Sequence, residues 1–199
     1  MIKPVLQDDA FLADVRYAAS SRDKLHIWWL GQSGFLAHWR GEHLLFDPYL
    51  SDSLTRKYAT TDKPHTRMTE LVIRPERLDF INVTTSSHNY CDNLDGETLT
   101  ALMQAYRVMV LLVASAIRRF AADRLGVDAD QLRAIDAGQS IRLDNIELHA
   151  VPAAHESLAK DEQGRHHYVG YVAKLGPRTH YHSGHTIHYE GMDENLKQC

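Results

Sequence analysis

The chain has few of the residues that mark secreted, membrane-spanning or nucleic-acid-binding proteins. Only two of its 199 residues are cysteines, Cys91 and Cys199, which argues against a disulfide framework. Lys and Arg total 22 against 26 Asp and Glu, with no basic block, so nucleic acid is not an electrostatically favoured partner. No apolar run approaches the roughly 18 residues that cross a bilayer, and residues 1–9 lack the apolar core of a signal peptide. These absences predict a cytoplasmic protein without a membrane partner.

Histidine, in contrast, is abundant. The chain has 13 histidines, and although many of them would lie on the surface, the number raises the expectation of a metal site. Hydrophobic residues make up 44% and charged residues 24%, a balance typical of a soluble globular protein. There are no repeats, low-complexity tracts or linkers. We therefore predict a single domain over residues 1–199 with a substantial core.

The hydrophobic pattern predicts a helix and a meander, followed by alternating strands and helices. The predicted helix covers 9–19, and the meander consists of strands at 25–30, 34–39 and 43–47. The long polar segment 49–76 is predicted to be a functional loop. The later predicted elements are strands at 80–83 and 108–113, helices at 96–106 and 115–125, a hairpin at 140–143 and 146–151, and strands at 167–175 and 179–182. This order is typical of a mixed α/β (α+β) fold with central sheets.

The segment 84–95, Thr-Thr-Ser-Ser-His-Asn-Tyr-Cys-Asp-Asn-Leu-Asp, carries the most specific motif of the chain. It follows an apolar run at 78–83 that is predicted to be a buried strand. The spacing His-x-Tyr-x-Asp-Asn-x-Asp fits the metallo-β-lactamase signature His-x-His-x-Asp-His-x-Asp position for position. In that signature, residues of one loop at the end of a strand hold two metal ions.

Five blocks in the same order make the whole chain resemble the metallo-β-lactamase superfamily, and specifically its L-ascorbate-6-phosphate lactonase-like branch of hydrolases. The blocks are Trp29–Phe35 (WLGQSGF), Leu45–Leu50 (LFDPYL), Ser87–Asp95, Val151–Glu156 (VPAAHE) and Tyr181–Thr186 (YHSGHT). The resemblance implies an αββα sandwich with metals at the sheet edges, and a metal-dependent hydrolase that uses zinc or manganese.

The resemblance also implies a set of metal ligands, and this chain departs from it. The positions of the first metal correspond to His88, Tyr90, His155 and His185, where Tyr90 replaces a histidine and His185 replaces the bridging aspartate. The positions of the second metal correspond to Asp92, Asn93 and again His185, with Asn93 replacing a histidine. The last histidine of the family pattern has no counterpart before Cys199.

These replacements favour one divalent ion at most. An imidazole cannot bridge two cations as a carboxylate does, and an amide is a poor ligand. The imidazoles of His88, His155 and His185 could hold one ion, with Tyr90 or water as the fourth ligand, since three histidines and an open position form a recognised catalytic zinc geometry. Asp92 would then orient or deprotonate the attacking water. Alternatively, His88 and His155 could be loop residues bonded to backbone, and His185 could be a surface histidine. Asp92 could be retained only as a cap of the helix at 96–106, although Asp95 is better placed for that role.

Three functions follow. The first is hydrolysis of a lactone, ester or phosphorylated small molecule, with that molecule as the partner. The second is a catalytically inactive relative that keeps only the scaffold. The third is an incomplete chain, because the sequence stops where the family pattern would continue. The C-terminal part of the sandwich would then be missing. An apolar sheet edge or face would be exposed as a result and would favour a homo-oligomer. His65 and Arg67, in the segment after the Asp-Pro block, could contact an anionic substrate or lie in a solvated loop.

Overall fold

The computed structural model describes residues 1–199 and contains both strands and helices, so the prediction of a mixed α/β fold is confirmed. Contacts divide the chain into two compact units. The first unit comprises Met1–Asn82 and Tyr90–Met109, and the second comprises Val83–Asn89 and Val110–Cys199. None of the helices has the length and apolar character required to cross a membrane. The single domain expected from the sequence stays a prediction.

The first unit contains an antiparallel meander and three helices. Its elements are α1 (Asp8–Ala19), β1 (His26–Trp29), β2 (Phe35–Trp39), β3 (Glu42–Phe46), α2 (Ser53–Tyr58) and α3 (Gly96–Ala105). Arg40 and Gly41 connect β2 to β3 with φ of 52° and 95°, and two successive positive φ angles match the right-handed twist of the flanking strands. The predicted helix and meander are thereby confirmed within one or two residues.

One apolar stripe holds α1 against β2. Phe11, Leu12, Val15 and Ala18 are buried, and their spacing of three to four residues places them on one face. Burial of the three larger side chains contributes about 1.5–3 kcal/mol each. In the same unit, the carboxylate of Asp95 accepts a hydrogen bond from the backbone N–H of Thr98 and caps α3.

Three histidines form a row across the meander. His26 lies opposite His38, and His38 lies opposite His43, with ring centroids 6.0 and 4.7 Å apart. The backbone N–H of Gly41 donates to Nε2 of His38 at 3.1 Å. Burial lowers the pKa of His43 to about 4, with a smaller contribution from His38, and burial also lowers the pKa of His38. Both rings are therefore neutral at neutral pH.

The second unit contains two sheets. Its elements are β4 (Val83–Ser86), β5 (Val110–Ala114), α4 (Arg118–Leu125), β6 (Arg133–Ile135), β7 (Ser140–Leu143), β8 (Ile146–Pro152), β9 (Val169–Leu175), β10 (Arg178–His182) and α5 (Met192–Lys197). β4, β5 and β6 are parallel neighbours, and β10-β9-β8-β7 form an antiparallel sheet. The hydroxyl of Tyr171 on β9 donates to the carbonyl of Ser86 at 3.2 Å, so the two sheets face each other. α4 contacts β5, and α5 contacts β8.

Several predicted boundaries are wrong. The strand predicted at 80–83 lies instead at Val83–Ser86. Thr84, Thr85 and Ser86 are polar residues that suggested a loop, but in the structure they are fully buried in a parallel sheet. The segment predicted to be a loop, 49–76, contains α2. Helix α4 begins at Arg118 after a short 3-10 turn, and it ends as predicted at Gly126, whose φ is 67°.

Candidate metal centre

His88 stands on a loop fixed by hydrogen bonds within the second unit. It follows β4 by two residues, and the hydroxyl of Ser86 donates to its carbonyl oxygen at 3.0 Å. The guanidinium of Arg124 donates to the carbonyl of Asn89 at 2.7 Å, which holds the next residue. The imidazole of His88 is fully buried and stacks on the ring of Tyr168, with centroids 4.0 Å apart and planes 10° apart. Its orientation is thus set by packing.

His155 and His185 come from two loops that hydrogen-bond to each other. The backbone N–H of Ala154 donates to the hydroxyl of Thr186 at 2.8 Å, and the N–H of Ile187 donates to the carbonyl of Ala154 at 2.7 Å. The loop after β8 and the loop after β10 therefore run side by side, and the two histidines become neighbours. Their ring centroids are 4.6 Å apart.

A glycine permits the close approach of these loops to the loop of His88. Gly184 has a φ of +63°, and a Cβ there would lie 2.6 Å from Oγ and 2.7 Å from Cβ of Ser87. Both the backbone conformation and the space require glycine. The N–H of Val169 donates to the carbonyl of Ser87 at 3.2 Å and holds the same loop against the start of β9.

The three imidazoles form the one group of potential ligands able to share a metal ion. Each of His88, His155 and His185 offers a ring nitrogen, and these nitrogens all lie within 4.8 Å of one another. Ligands at a tetrahedral zinc, with Zn–N of about 2.1 Å, lie about 3.4 Å apart, so small rotations of the side chains bring the nitrogens into range. The chemistry also fits, because imidazole is a common ligand of zinc and other transition metals.

Access to the group is graded. His88 is buried, His155 is half-buried and His185 is exposed. A cation held by the three rings would have protein on the side of His88 and an approach from the side of His185. Three protein ligands with one open side is the arrangement that separates catalytic zinc sites from closed structural ones.

The structure does not include the other two residues of the predicted ligand set in this group. Tyr90 and Asp92 belong to the first unit, where the backbone carbonyl of Tyr90 accepts from the N–H groups of Asn93 and Leu94. The side chain of Tyr90 is 46% exposed, and the hydroxyl of Ser33 donates to the carbonyl oxygen of Asp92 at 3.2 Å. The assignment of Tyr90 as a metal ligand stays a prediction. The same holds for Asp92 as a metal ligand or catalytic residue.

Asn93 has a defined partner in the first unit. Its amide nitrogen donates to Oδ2 of Asp47 at 2.8 Å, and both side chains are buried. Asp47 has a φ of 40°, a conformation that aspartate tolerates better than most residues. At the position where the family pattern has a metal-binding histidine, this chain therefore has an amide that hydrogen-bonds to a buried carboxylate.

One of the two interpretations of the segment after the Asp-Pro block placed Arg67 in a solvated loop. That interpretation is wrong, because Arg67 is buried. It is 7% exposed, and its guanidinium donates to the carbonyl oxygens of Ser51 and Thr69, each at 2.8 Å. These bonds tie the segment 49–76 to itself. Tyr168 is the residue of the centre that the sequence pattern did not indicate; its one signal is its place beside His167, directly before the apolar strand β9.

Three nitrogen donors converging beside paired sheets define a candidate metal-binding protein of mixed α/β fold. The pattern of the beta-lactamase superfamily domain matches residues 26–198. The chain therefore belongs to the beta-lactamase superfamily. Among curated proteins it is similar to uncharacterised proteins of Mycobacterium bovis and Mycobacterium tuberculosis, each 27% identical over 149 residues. The matched region is 73% of this chain, which spans about 38% of the length of these relatives.

Solved structures show the same fold. A protein of Veillonella parvula described as a possible metal-dependent hydrolase is 16% identical with a TM-score of 0.63, and the match covers 87% of this chain and 66% of that one. The diiron β-hydroxylase CmlA of Streptomyces venezuelae is 19% identical with a TM-score of 0.60, over 92% and 34%. Igni18, a metallo hydrolase of Ignicoccus hospitalis, is 16% identical with a TM-score of 0.54, over 85% and 64%. The predicted metallo-β-lactamase fold is confirmed.

Proposed function

We propose that this chain is a metal-dependent hydrolase with a single divalent ion held by the imidazoles of His88, His155 and His185. The observation that carries the proposal is the convergence of three ring nitrogens, within 4.8 Å of one another, on a group that is open at one side. A divalent cation bound there would supply Lewis-acid chemistry and would lower the pKa of a coordinated water molecule.

The donor set favours zinc over manganese. All three ligating groups are imidazoles and the group contains no carboxylate, whereas manganese prefers carboxylate, carbonyl and water oxygen. The ring of Tyr168 would keep His88 in the ligating orientation, and the hydrogen-bonded pair of loops would do the same for His155 and His185. The stacked ring and the paired loops are what the residues around the three ligands would contribute to metal binding.

The proposed substrates are small molecules with a lactone, ester or phosphate ester bond, as in the L-ascorbate-6-phosphate lactonase-like branch. The five sequence blocks support this class, and the open side at His185 gives a substrate room to approach. In this proposal Asp92 orients or deprotonates water, which the motif spacing supports. Replacing Asp92 with Asn is expected to lower kcat with little change in bound zinc, because the amide cannot accept a proton.

Metal analysis of the purified full chain tests the proposal. We expect about one equivalent of zinc in the wild type, and a loss of zinc affinity of more than about 100-fold in His155→Ala and His185→Ala, since even indirect partners of a ligand contribute 10- to 100-fold. His188→Ala, which removes an exposed histidine of the same segment, is the matched control and should keep its zinc. Absence of zinc in the wild type, or equal zinc in His155→Ala, would refute it.

Hydrolysis of a panel of lactones, aryl esters and phosphate monoesters provides the second measurement. We expect the activity to disappear with a chelator and to return when zinc is added back. Turnover that resists chelation would contradict the proposal.

A catalytically inactive relative is the alternative, and the bond between Asn93 and Asp47 favours it. The amide occupies a position where the family pattern has a ligand of the second metal, and it is already engaged with a buried carboxylate. This alternative predicts that the zinc-loaded chain hydrolyses nothing in the panel, and that Asn93→His combined with His185→Asp and Tyr90→His gains activity.

A further inference from the structure

The first unit contains a cavity that shares no residue with the three-histidine group. Its volume is about 390 Å³, within the roughly 300–1,000 Å³ typical of small-molecule sites. The walls come from the N-terminal segment 2–6, from Phe11 of α1, from three residues of β1 and from residues near 69–72. Of the five sequence blocks on which the proposed hydrolase rests, only the first contributes to the walls, through Trp29 and Gly31.

Both tryptophans of the cavity use their polar atom within the protein. The indole N–H of Trp28 donates to the carboxylate of Asp14 at 2.8 Å, and that of Trp29 donates to the carbonyl of Gln32 at 2.9 Å. Neither indole therefore needs a polar partner from a ligand. The rings contribute flat apolar surface, which suits an apolar ligand body.

The N-terminal wall is fixed at both of its ends. The N–H of Ile2 donates to the carbonyl of Met68 at 2.7 Å, and the N–H of Glu70 donates to the carbonyl of Ile2 at 3.0 Å. Five residues on, the amide of Gln7 donates to the carbonyl of Leu71 at 2.7 Å, and the N–H of Asp8 donates to that of Val72 at 2.9 Å. The cavity is thus formed in advance, and a ligand would not have to order this segment.

Apolar side chains around the cavity remain in water. Ile2 is 62% exposed, Val5 is fully exposed, Ile27 is 43% exposed and Trp29 is 56% exposed. A contiguous exposed apolar surface of this kind marks an interaction site more often than an isolated residue does. An apolar chain lying along it would remove these four side chains from water.

Charge determines what the other end of the ligand should be. Lys3 is the only charged residue that lines the cavity. Its ammonium group would pair with an anionic group at the mouth while the apolar body of the same molecule contacts the two indoles. We propose that this cavity binds a small amphipathic anion, an aliphatic carboxylate of medium chain length.

Tryptophan emission reports binding directly. The chain has three tryptophans, of which Trp28 and Trp29 line the cavity and Trp39 is buried in β2. We expect sodium octanoate to shift the emission of the full chain in a saturable manner, with one site per chain. Octanol and octylamine, with the same chain and a neutral or cationic end, should bind at least about fivefold more weakly, and about 0.5 M salt should reduce this difference.

Two pairs of variants locate the site. Lys3→Ala should weaken octanoate about fivefold and leave octanol unchanged, whereas Lys63→Ala, on an exposed loop, should change neither. Val5→Asp should abolish binding without affecting folding, because that side chain is fully exposed, while Val108→Asp, at a similarly exposed valine outside the cavity, should bind as the wild type does. Thermal melts check that all four variants fold.

Several outcomes would overturn the inference. These are no saturable shift below the micelle concentration, octanol bound as tightly as octanoate, or an equal loss in Val5→Asp and Val108→Asp. Sedimentation velocity separates a further case. If the wild type forms a dimer that Val5→Asp abolishes and octanoate does not dissociate, then a second copy of the chain covers this surface.

Discussion

The row of histidines in the meander predicts a loss of stability in acid that one substitution should largely remove. His43 is buried between His38 and Phe80, with ring centroids 4.7 and 4.8 Å away, and burial holds its pKa at about 4 against a usual value of 6.5. No charged group of the opposite sign contributes to this shift; the other cause is His38, which also lowers it. Between about pH 4 and pH 6.5, His43 therefore stays neutral in the folded chain and is protonated in the unfolded chain.

The sign and size of this change in stability follow from the pKa values of His43 in the folded and the unfolded chain. Between pH 6.5 and 4 the unfolded state binds more protons, so the free energy of unfolding falls as the pH falls through this window, and it is unaffected by His43 above about pH 7.5. The pKa difference of about 2.5 units, at about 1.4 kcal/mol per unit, corresponds to a loss of about 3 kcal/mol below pH 4. That is a large fraction of the roughly 5–15 kcal/mol that stabilises an ordinary domain.

Urea unfolding followed by tryptophan fluorescence reports on the first unit, because Trp28, Trp29 and Trp39 all lie in β1 and β2 of the same meander as His43. Between pH 7.5 and 4.5 the wild type should lose about 2.5 kcal/mol more than His43→Gln, which keeps a polar side chain but does not titrate. His188→Gln, which changes an exposed histidine, is the control and should keep the slope of the wild type. Parallel pH profiles for the wild type and His43→Gln would refute the reasoning.

Three further predictions concern single contacts. Gly184→Ala should lower zinc affinity at least about tenfold and destabilise the second unit by about 1–3 kcal/mol, because the new Cβ cannot fit against the loop of His88. Gly164→Ala is the control: Gly164 also has a positive φ but no atom within 4 Å, so this variant should keep its zinc. Metal titration and thermal melts distinguish the two variants. Tyr168→Ala should weaken zinc binding about tenfold while Tyr168→Phe retains it, since the stacked ring orients His88; competition with a chromophoric chelator measures both. Asp95→Ala should cost about 1–2 kcal/mol through loss of the cap of α3, measured by urea unfolding, and Asp95→Asn should cost less.

Sequence patterns predicted those parts of the fold where apolar residues recur at the period of a helix or strand. α1, the meander and the β7–β8 hairpin follow this rule, and the structure has them where they were expected. The pattern failed at β4, whose buried positions are Thr and Ser, and at the short elements β6, α2 and α5, whose few residues give too weak a periodic signal.

The candidate site divides in the same way. By spacing alone, the motif blocks predicted His88, His155 and His185 as ligands, and the structure brings these three side chains together. The same blocks also predicted Tyr90 and Asp92, whose roles stay predictions. The stacking of Tyr168 and the requirement for glycine at 184 could not be predicted, since both depend on how closely loops distant in sequence approach each other in space.

The absence of a carboxylate from the three-histidine group has an electrostatic consequence. Imidazole binds metal in its neutral form, so a divalent cation held by these three rings would keep its full charge of about two units, whereas an aspartate ligand would offset one of them. Such a centre would attract halides, phosphate and sulfate from the buffer, and in the proposed hydrolase these anions would compete with the substrate.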